Sequence, residues 1–266
     1  MGEHGPLRVE TDGRVWEVTI DHPPTNLVDG ALLGGLMGLL DAAEATRPVL
    51  LFRSADPDFF LMHGDVEQLV AIPPSEHRPS TAPNVAAATF ERLGGFVTIA
   101  FVDGAARGGG CELLSALDFR FGTRRAVVGQ PEVPMGILPG AGGTVRWPRL
   151  VGRSAALEIL LTGSDVDAEE LLALGWLHAL VDDDGPARAL ATRIASMPPE
   201  SVRAVKDVVA VSDRGAALVA ETDALGRLLA AGTHREPMRR FLEAGGQTRE
   251  GETTRMAAIV DGMLER

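Results

Sequence analysis

The stretch Phe96-Val97-Thr98-Ile99-Ala100-Phe101-Val102, then Asp103-Gly104 and Gly108-Gly109-Gly110-Cys111-Glu112, decides how this chain reads. An unbroken apolar and β-branched run predicts a buried strand. The glycines end it, and Glu112 lies at the start of a helix predicted from about Cys111 to Leu117. At a spacing of 20 residues from Glu112, Gly129-Gln130-Pro131-Glu132 sets a second carboxylate beside a second glycine turn. Glycine lets a backbone approach a ligand closely and present its N–H groups. A carboxylate beside such a turn can move a proton while the N–H groups hold a developing negative charge. Two carboxylates sharing one water have their pKa values pushed apart, as an acid–base pair requires. Spacing alone does not make the two meet, and solvated glutamates on surface turns are the plain alternative.

Working outward, Val15-Trp16-Glu17-Val18-Thr19-Ile20 alternates like a strand and ends at His22-Pro23-Pro24. Asp29 is placed to cap a helix through Leu33, Leu36, Leu39 and Leu40. Val49 to Phe52 reads as a buried strand, and Phe59 to Met62 is a second apolar run broken by His63-Gly64-Asp65. Asp65 can cap a short helix through Val66 and Leu69. Residues 71–84 read as a surface loop, and a helix follows from Val85 to Leu93. Short strands are expected at Phe119–Gly122 and Ala126–Val128, then a turn-rich segment over 129–143. From Ser154 the pattern is helical. Strands alternating with helices, then helices alone, predict an α/β core with a helical C-terminal part. The boundary falls at Met197-Pro198-Pro199, dividing the chain into 1–197 and 198–266.

The 266 residues carry a formal net charge of −12, so a nucleic-acid partner is not expected. Nearly all the basic residues are arginines, with Lys206 the only lysine. Arginine binds phosphate in bidentate fashion, which leaves room for local contacts to a phosphorylated group. Cys111 is the only cysteine, which excludes an intrachain disulfide and a cysteine-based zinc cluster and fits a reducing compartment. The first residues lack the basic and apolar regions of a signal peptide, and no apolar run is long enough to span a bilayer. A cytoplasmic protein with no membrane partner is the expectation.

Gly104-Ala105-Ala106-Arg107-Gly108 lacks the dinucleotide spacing, and Gly140-Ala141-Gly142-Gly143-Thr144 lacks the lysine of a P-loop. Several motifs in order instead resemble the enoyl-CoA hydratase/isomerase (crotonase) superfamily. They are Asp103 to Glu112, Asp118-Phe119-Arg120, Gly129 to Glu132, Gly136 to Thr144, Leu161-Thr162-Gly163 and Ala173 to Leu177. The resemblance implies an α/β fold with a crotonase-like ββα spiral core over 1–197. It also implies a C-terminal helical trimerisation domain over 198–266, and a homotrimer or a dimer of trimers.

For the site, the resemblance implies an acyl-CoA substrate, with coenzyme A as part of it and no metal or other cofactor. The backbone N–H groups of Gly64 and Gly109 would form an oxyanion hole. Glu112 would activate water for attack at Cβ, and Glu132 would protonate Cα. Met62, His63, Asp65, Pro139 and Gly140 would contact substrate or the reacting water. Relatives that only shift a double bond usually keep one such carboxylate, so two favour a lyase that hydrates a 2-enoyl-CoA, as in fatty acid metabolism. Isomerisation, thioester or C–C bond hydrolysis, and a non-catalytic or RNA-binding relative are the alternatives. The chain departs from the family pattern at Met62-His63-Gly64-Asp65, where Ala-Gly-Ala-Asp is common, and at Glu67, where many relatives carry lysine. His63 therefore has two readings, a substrate contact and a packed or capping histidine. Cys111 reads as a packed residue, Met135 and Trp147 as core or pocket wall, and Arg124-Arg125 as a solvated turn, with a phosphate contact as its alternative.

Overall fold

In the computed structural model, residues 2–76, 80–197, 199–209, 214–232 and 234–264 are described. The chain begins with β1 (Gly2–His4), β2 (Leu7–Asp12) and β3 (Val15–Ile20), then α1 (Gly30–Ala43), β4 (Val49–Ser54), β5 (Phe59–Leu61), α2 (Val66–Ala71) and α3 (Val85–Arg92). The central part is β6 (Val97–Val102), β7 (Ala105–Arg107), α4 (Gly109–Ala116), β8 (Phe119–Gly122), β9 (Val127–Gly129) and α5 (Gly143–Val151). It continues with α6 (Arg153–Thr162), β10 (Val166–Asp167), α7 (Ala168–Ala173), β11 (Ala179–Leu180) and α8 (Gly185–Ala195). Then come α9 (Pro199–Val209), α10 (Arg214–Ala231), α11 (Arg235–Glu243), a π-helical turn over Gly251–Arg255, and α12 (Met256–Leu264).

Two sheets carry the core. The larger has the order β1-β2-β3-β4-β6-β8-β11, and its strands run parallel from β3 onward. The four residues Val49 to Phe52 are all buried because β4 is covered on both faces. Leu50 and Phe52 join the main core with α1, whereas Val49 and Leu51 meet Ala187 and Ala191 of α8. A continuous apolar run, rather than an alternating one, is what a doubly covered parallel strand needs. Each such side chain stabilises the fold by roughly 1.5–3 kcal/mol.

The smaller sheet, β10-β9-β7-β5, positions the site. Strands β5, β7 and β9 lie side by side and parallel. Their C-terminal ends therefore emerge together and lead into His63-Gly64, Gly108-Gly109 and Gln130 to Glu132. The Gly108 N–H donates to Gly129 O at 3.0 Å and the Gly110 N–H to Met62 O at 2.9 Å, which ties the three exits to one another.

Helix α4 leaves β7 through Gly108, whose φ of 50° lies in the left-handed region that glycine tolerates. A side chain there would also meet His63 Cβ at 2.7 Å and Glu132 Oε1 at 2.8 Å. At the other end of α4, buried Arg120 donates to Leu114 O, Leu117 O and Trp176 O at 3.0, 2.6 and 2.7 Å. A cation over the last carbonyls of a helix offsets its negative end. Burial pushes the Arg120 pKa down to about 10.

The structure adds elements that sequence patterns did not reveal. Gly2–His4 and Leu7–Asp12 form β1 and β2, with Leu7 and Val9 turned into the core. Helix α5 spans residues expected to lie between a turn-rich segment and the first C-terminal helix. Pro148 and the flanking glycines argue locally against it. Complete burial of Trp147, stacked on Trp176 at 5.8 Å, together with buried Arg146, outweighs that cost. Residues 77–79 of the expected loop, and 198, 210–213, 233, 265 and 266 of the expected C-terminal part, lie outside the described residues. Helices α11 and α12 pack on α2 and the 135–137 turn through Phe241, Met238, Met256 and Ile259. Among the described residues no helix is long and apolar enough to cross a membrane.

Candidate active site

Glu112 lies one turn into α4 and is buried. Its Oε1 accepts the Ala141 N–H at 2.7 Å and the Gly143 N–H at 2.8 Å. Gly143 is the first residue of α5, so the carboxylate sits at a helix N-terminus, where backbone donors and the helix dipole favour negative charge. A side chain at Gly143 would meet Pro139 Cβ at 2.6 Å and Glu112 Oε1 at 3.1 Å. The Pro139–Gly143 turn and Glu112 thus fit only with glycine between them.

Glu132 is also buried, 6 % exposed. Gln130, oriented to satisfy both its neighbours, donates its amide to Glu132 Oε2 at 3.0 Å and accepts from Trp147 Nε1 at 3.2 Å. In that orientation the Gln130 amide oxygen lies 3.1 Å from the position a Gly143 Cβ would take, and Glu112 Oε1 lies 3.1 Å from the same position. Gln130 therefore bonds Glu132 and stands close to Glu112 at the α5 N-terminus. After burial, the charges of both carboxylates also raise the Cys111 thiol pKa.

Gly64 follows β5, and Gly109 opens α4. Val28 runs beside them. Its N–H donates to His63 O at 3.0 Å, and its side chain lies 3.2 Å from the position of a Gly109 Cβ. Because a trans peptide places N–H opposite C=O, the Gly64 N–H points away from Val28. Neither the Gly64 nor the Gly109 N–H donates to an acceptor among the described residues. These are two backbone donors beside two buried carboxylates, at the carboxyl ends of parallel strands.

The other candidate residues are placed as follows. The Met62 side chain is buried with Phe59 and Ala105, while its carbonyl anchors Gly110. Asp65 caps α2 by accepting the Gln68 N–H at 3.2 Å. The Gly140 carbonyl accepts from Asn84 Nδ2 at 2.6 Å, and Gly140 lies under Leu225 of α10. His63 is buried, and its Nε2 faces Glu252 Oε1 at 2.8 Å. Its ring meets Phe241 edge-on at 5.3 Å. The packed reading describes its side chain.

Cys111 is buried on α4, and burial pushes its thiol pKa up. Arg124 and Arg125 are exposed and engage Glu169, Asp58 and Asp103. Trp147 lies in the main core and Met135 in the cluster with Phe241. Among the described residues no group of three or more His, Cys, Asp or Glu side chains is arranged to hold a metal.

Sequence reading did not single out Gln130, Ala141 or Gly143 as supports of the carboxylates. Nor did it find Arg107 and Glu252. Gln130 stood inside the quoted motif, and Gly143 inside the glycine-rich turn. The Glu252 pairing joins residues 189 positions apart and left no local signal.

Parallel strands that turn into backbone donors and paired buried glutamates define a crotonase-type fold with a carboxylate site. Residues 10–250 match the enoyl-CoA hydratase/isomerase family, and the chain belongs to it. The chain is similar to a putative enoyl-CoA hydratase from Streptomyces avermitilis at 30% identity and a TM-score of 0.87, with 98% of each chain covered. It is similar to Pseudomonas aeruginosa DspI at 31% identity and a TM-score of 0.67, covering 79% of this chain and 88% of that one. A putative polyketide biosynthesis enoyl-CoA hydratase from Bacillus subtilis shares the fold at 18% identity and a TM-score of 0.80, over 90% of this chain and 98% of that one.

Proposed function

We propose that this protein hydrates a 2-enoyl-CoA thioester to a 3-hydroxyacyl-CoA. The observation that carries the reading is two buried carboxylates, Glu112 and Glu132, together with the N–H groups of Gly64 and Gly109, which meet no acceptor among the described residues. Glu112 takes a proton from water as the water oxygen bonds to Cβ. The double-bond electrons move toward the thioester oxygen, where the Gly64 and Gly109 N–H groups hold the enolate. Each such donor is worth about 3 kcal/mol. Glu132 then delivers a proton to Cα, and proton exchange with solvent resets the pair. Met62, His63, Asp65, Pro139 and Gly140 form the surrounding shell, with Pro139 and Gly140 nearest the water.

Coenzyme A enters as part of the substrate, and the reaction calls for no further cofactor. With Glu67 on α2, phosphate contacts fall to arginines rather than to a lysine at that position. The same proposal includes a cytoplasmic location and self-association as a trimer or dimer of trimers through the 198–266 helices. Exposed Val205 and Val209 on α9 support such association.

The test is a panel of 2-enoyl-CoA thioesters incubated in isotopically labelled water. Hydration predicts loss of the conjugated double bond and label at the Cβ oxygen. A shifted double bond without label, or released coenzyme A, would instead indicate isomerase or hydrolase chemistry. Absence of turnover with every thioester would favour a binding protein.

A further inference from the structure

Glu252 is 1 % exposed, yet it belongs to a π-helical turn near the far end of the chain. Its Oε1 accepts from His63 Nε2 at 2.8 Å and from the Gln247 N–H at 2.8 Å. Arg107 Nη1 donates to its backbone oxygen at 3.0 Å and approaches its Oε2 at 3.4 Å. Arg107 in turn makes a two-pronged bond with Asp165, at 2.8 and 2.7 Å. One carboxylate therefore reaches residues at the exits of both β5 and β7.

Those exits carry the two proposed oxyanion donors. His63 Nδ1 contacts Gly64 O at 3.0 Å, and Gln247 Nε2 donates to the same oxygen at 3.3 Å. The His63 ring thus bridges the Gly64 carbonyl and the Glu252 carboxylate. With Val28 holding His63 O, the carbonyls on both sides of Gly64 are clamped. Arg107 stands two residues before Gly109 and is pulled toward the same carboxylate.

A buried ion pair is a poor way to gain stability, since desolvation offsets most of the attraction. A fixed, charge-assisted bond does define geometry. We infer that Glu252 is a positioning residue for the oxyanion hole, acting through His63 and Gln247 on Gly64 and through Arg107 on the Gly108–Gly109 turn. The inference rests on the proposed enolate chemistry and names the part of the chain that sets its donor geometry.

The experiment compares wild type with Glu252→Gln, which keeps an acceptor, and Glu252→Leu, which keeps the volume and removes it. Each is assayed for kcat and KM on an enoyl-CoA, for thermal stability, and for the carbonyl stretching frequency of a bound unsaturated acyl-CoA. The expected result is a kcat lowered roughly 10- to 100-fold in Glu252→Leu with KM within about twofold, because small misplacements of a donor are costly. Glu252→Gln should fall between it and wild type, and the carbonyl red-shift should shrink in the same order. Gln247→Ala, at a half-buried position, supplies a milder variant should Glu252→Leu fail to fold. It should lower kcat a few-fold and weaken the red-shift. Stability lost with kcat and red-shift unchanged in the folded variants would overturn the inference and leave the hydratase reading intact. A wild type that polarises the bound carbonyl but does not hydrate it would overturn the hydratase reading. The inference would then be judged on the red-shift alone. A wild type with no red-shift would overturn both.

Discussion

The N–H of Gly143 donates to Glu112 Oε1 at 2.8 Å, across 31 residues of sequence. A proposed base is thereby aimed by the first residue of a helix that begins in a different motif. Replacing the carboxylate with an amide of the same shape should leave the fold in place and remove the chemistry. Glu112→Gln and Glu132→Gln are each expected to lower kcat for enoyl-CoA hydration by about 10²- to 10⁴-fold. Their melting temperatures should stay near that of wild type. Wild-type hydration rates in both variants would end the two-carboxylate proposal.

Glycine at 110 allows α4 to touch β5. A methyl group there would stand on the carbonyl oxygen of Leu61, which is backbone and cannot rotate away. Gly110→Ala is expected to cost about 1–3 kcal/mol or more in chemical denaturation, as overpacked sites do. It should also lower activity more than the loss of stability explains, because Gly109 moves with the helix.

Arg107 is buried between Asp165 and Glu252. Burial works against its charge, but the two carboxylates outweigh burial and hold its pKa above the ordinary value. Arg107→Met would leave Glu252 without its guanidinium partner. Breaking one side of a buried pair typically costs about 3–5 kcal/mol. Urea unfolding should show a loss of that order, and a change below about 1 kcal/mol would mean the network adds little to stability.

The same cluster predicts an acid limit to stability. Burial pushes the Glu252 pKa up, and the opposing His63 charge, the His63 bond and Arg107 bring it below its ordinary value of 4.5. A carboxylate with a lowered folded pKa binds fewer protons folded than unfolded. Its contribution is therefore complete above pH 4.5 and is lost as pH falls through the folded value. Melting curves from about pH 7 down to about pH 3 should show wild type losing its advantage over Glu252→Gln only below that point. A stability difference independent of pH would contradict the assignment.

Cys111 should behave as a packed residue. Its thiol is fully buried, and burial raises its pKa. A disulfide reagent at mildly alkaline pH should leave the native protein unmodified and titrate one thiol after denaturation. Rapid reaction of the native thiol would show that α4 opens.

Much of the frame was legible in sequence because local patterns carry it. The helix capped by Asp29, the apolar run of β4 and the strand of the Phe96–Val102 run all lie where periodicity and capping put them, whereas β7, the three-residue strand that leads to the glycine triplet, was not read. Helix α5 was hidden because its stability comes from Trp147 and Arg146 burying against distant residues, whereas Pro148 and the glycines signal a break. Strands β1 and β2 were hidden among the polar residues of an edge that exposes every other side chain or more.

At the site, sequence determined the chemical groups: Glu112 and Glu132 beside glycines, and the glycine turns that can present N–H donors. It also determined the short strand that runs into the Gly129 turn, but not β7 before Gly108. Only the tertiary structure decided that β5, β7 and β9 are parallel neighbours, so that their exits converge. It alone decided that the α5 N-terminus holds Glu112 and that Glu252 reaches His63 across 189 residues. Capping and periodicity are set by residues within a turn or two of one another. The aim of a buried carboxylate is set by which distant donors the packed core brings within hydrogen-bonding distance.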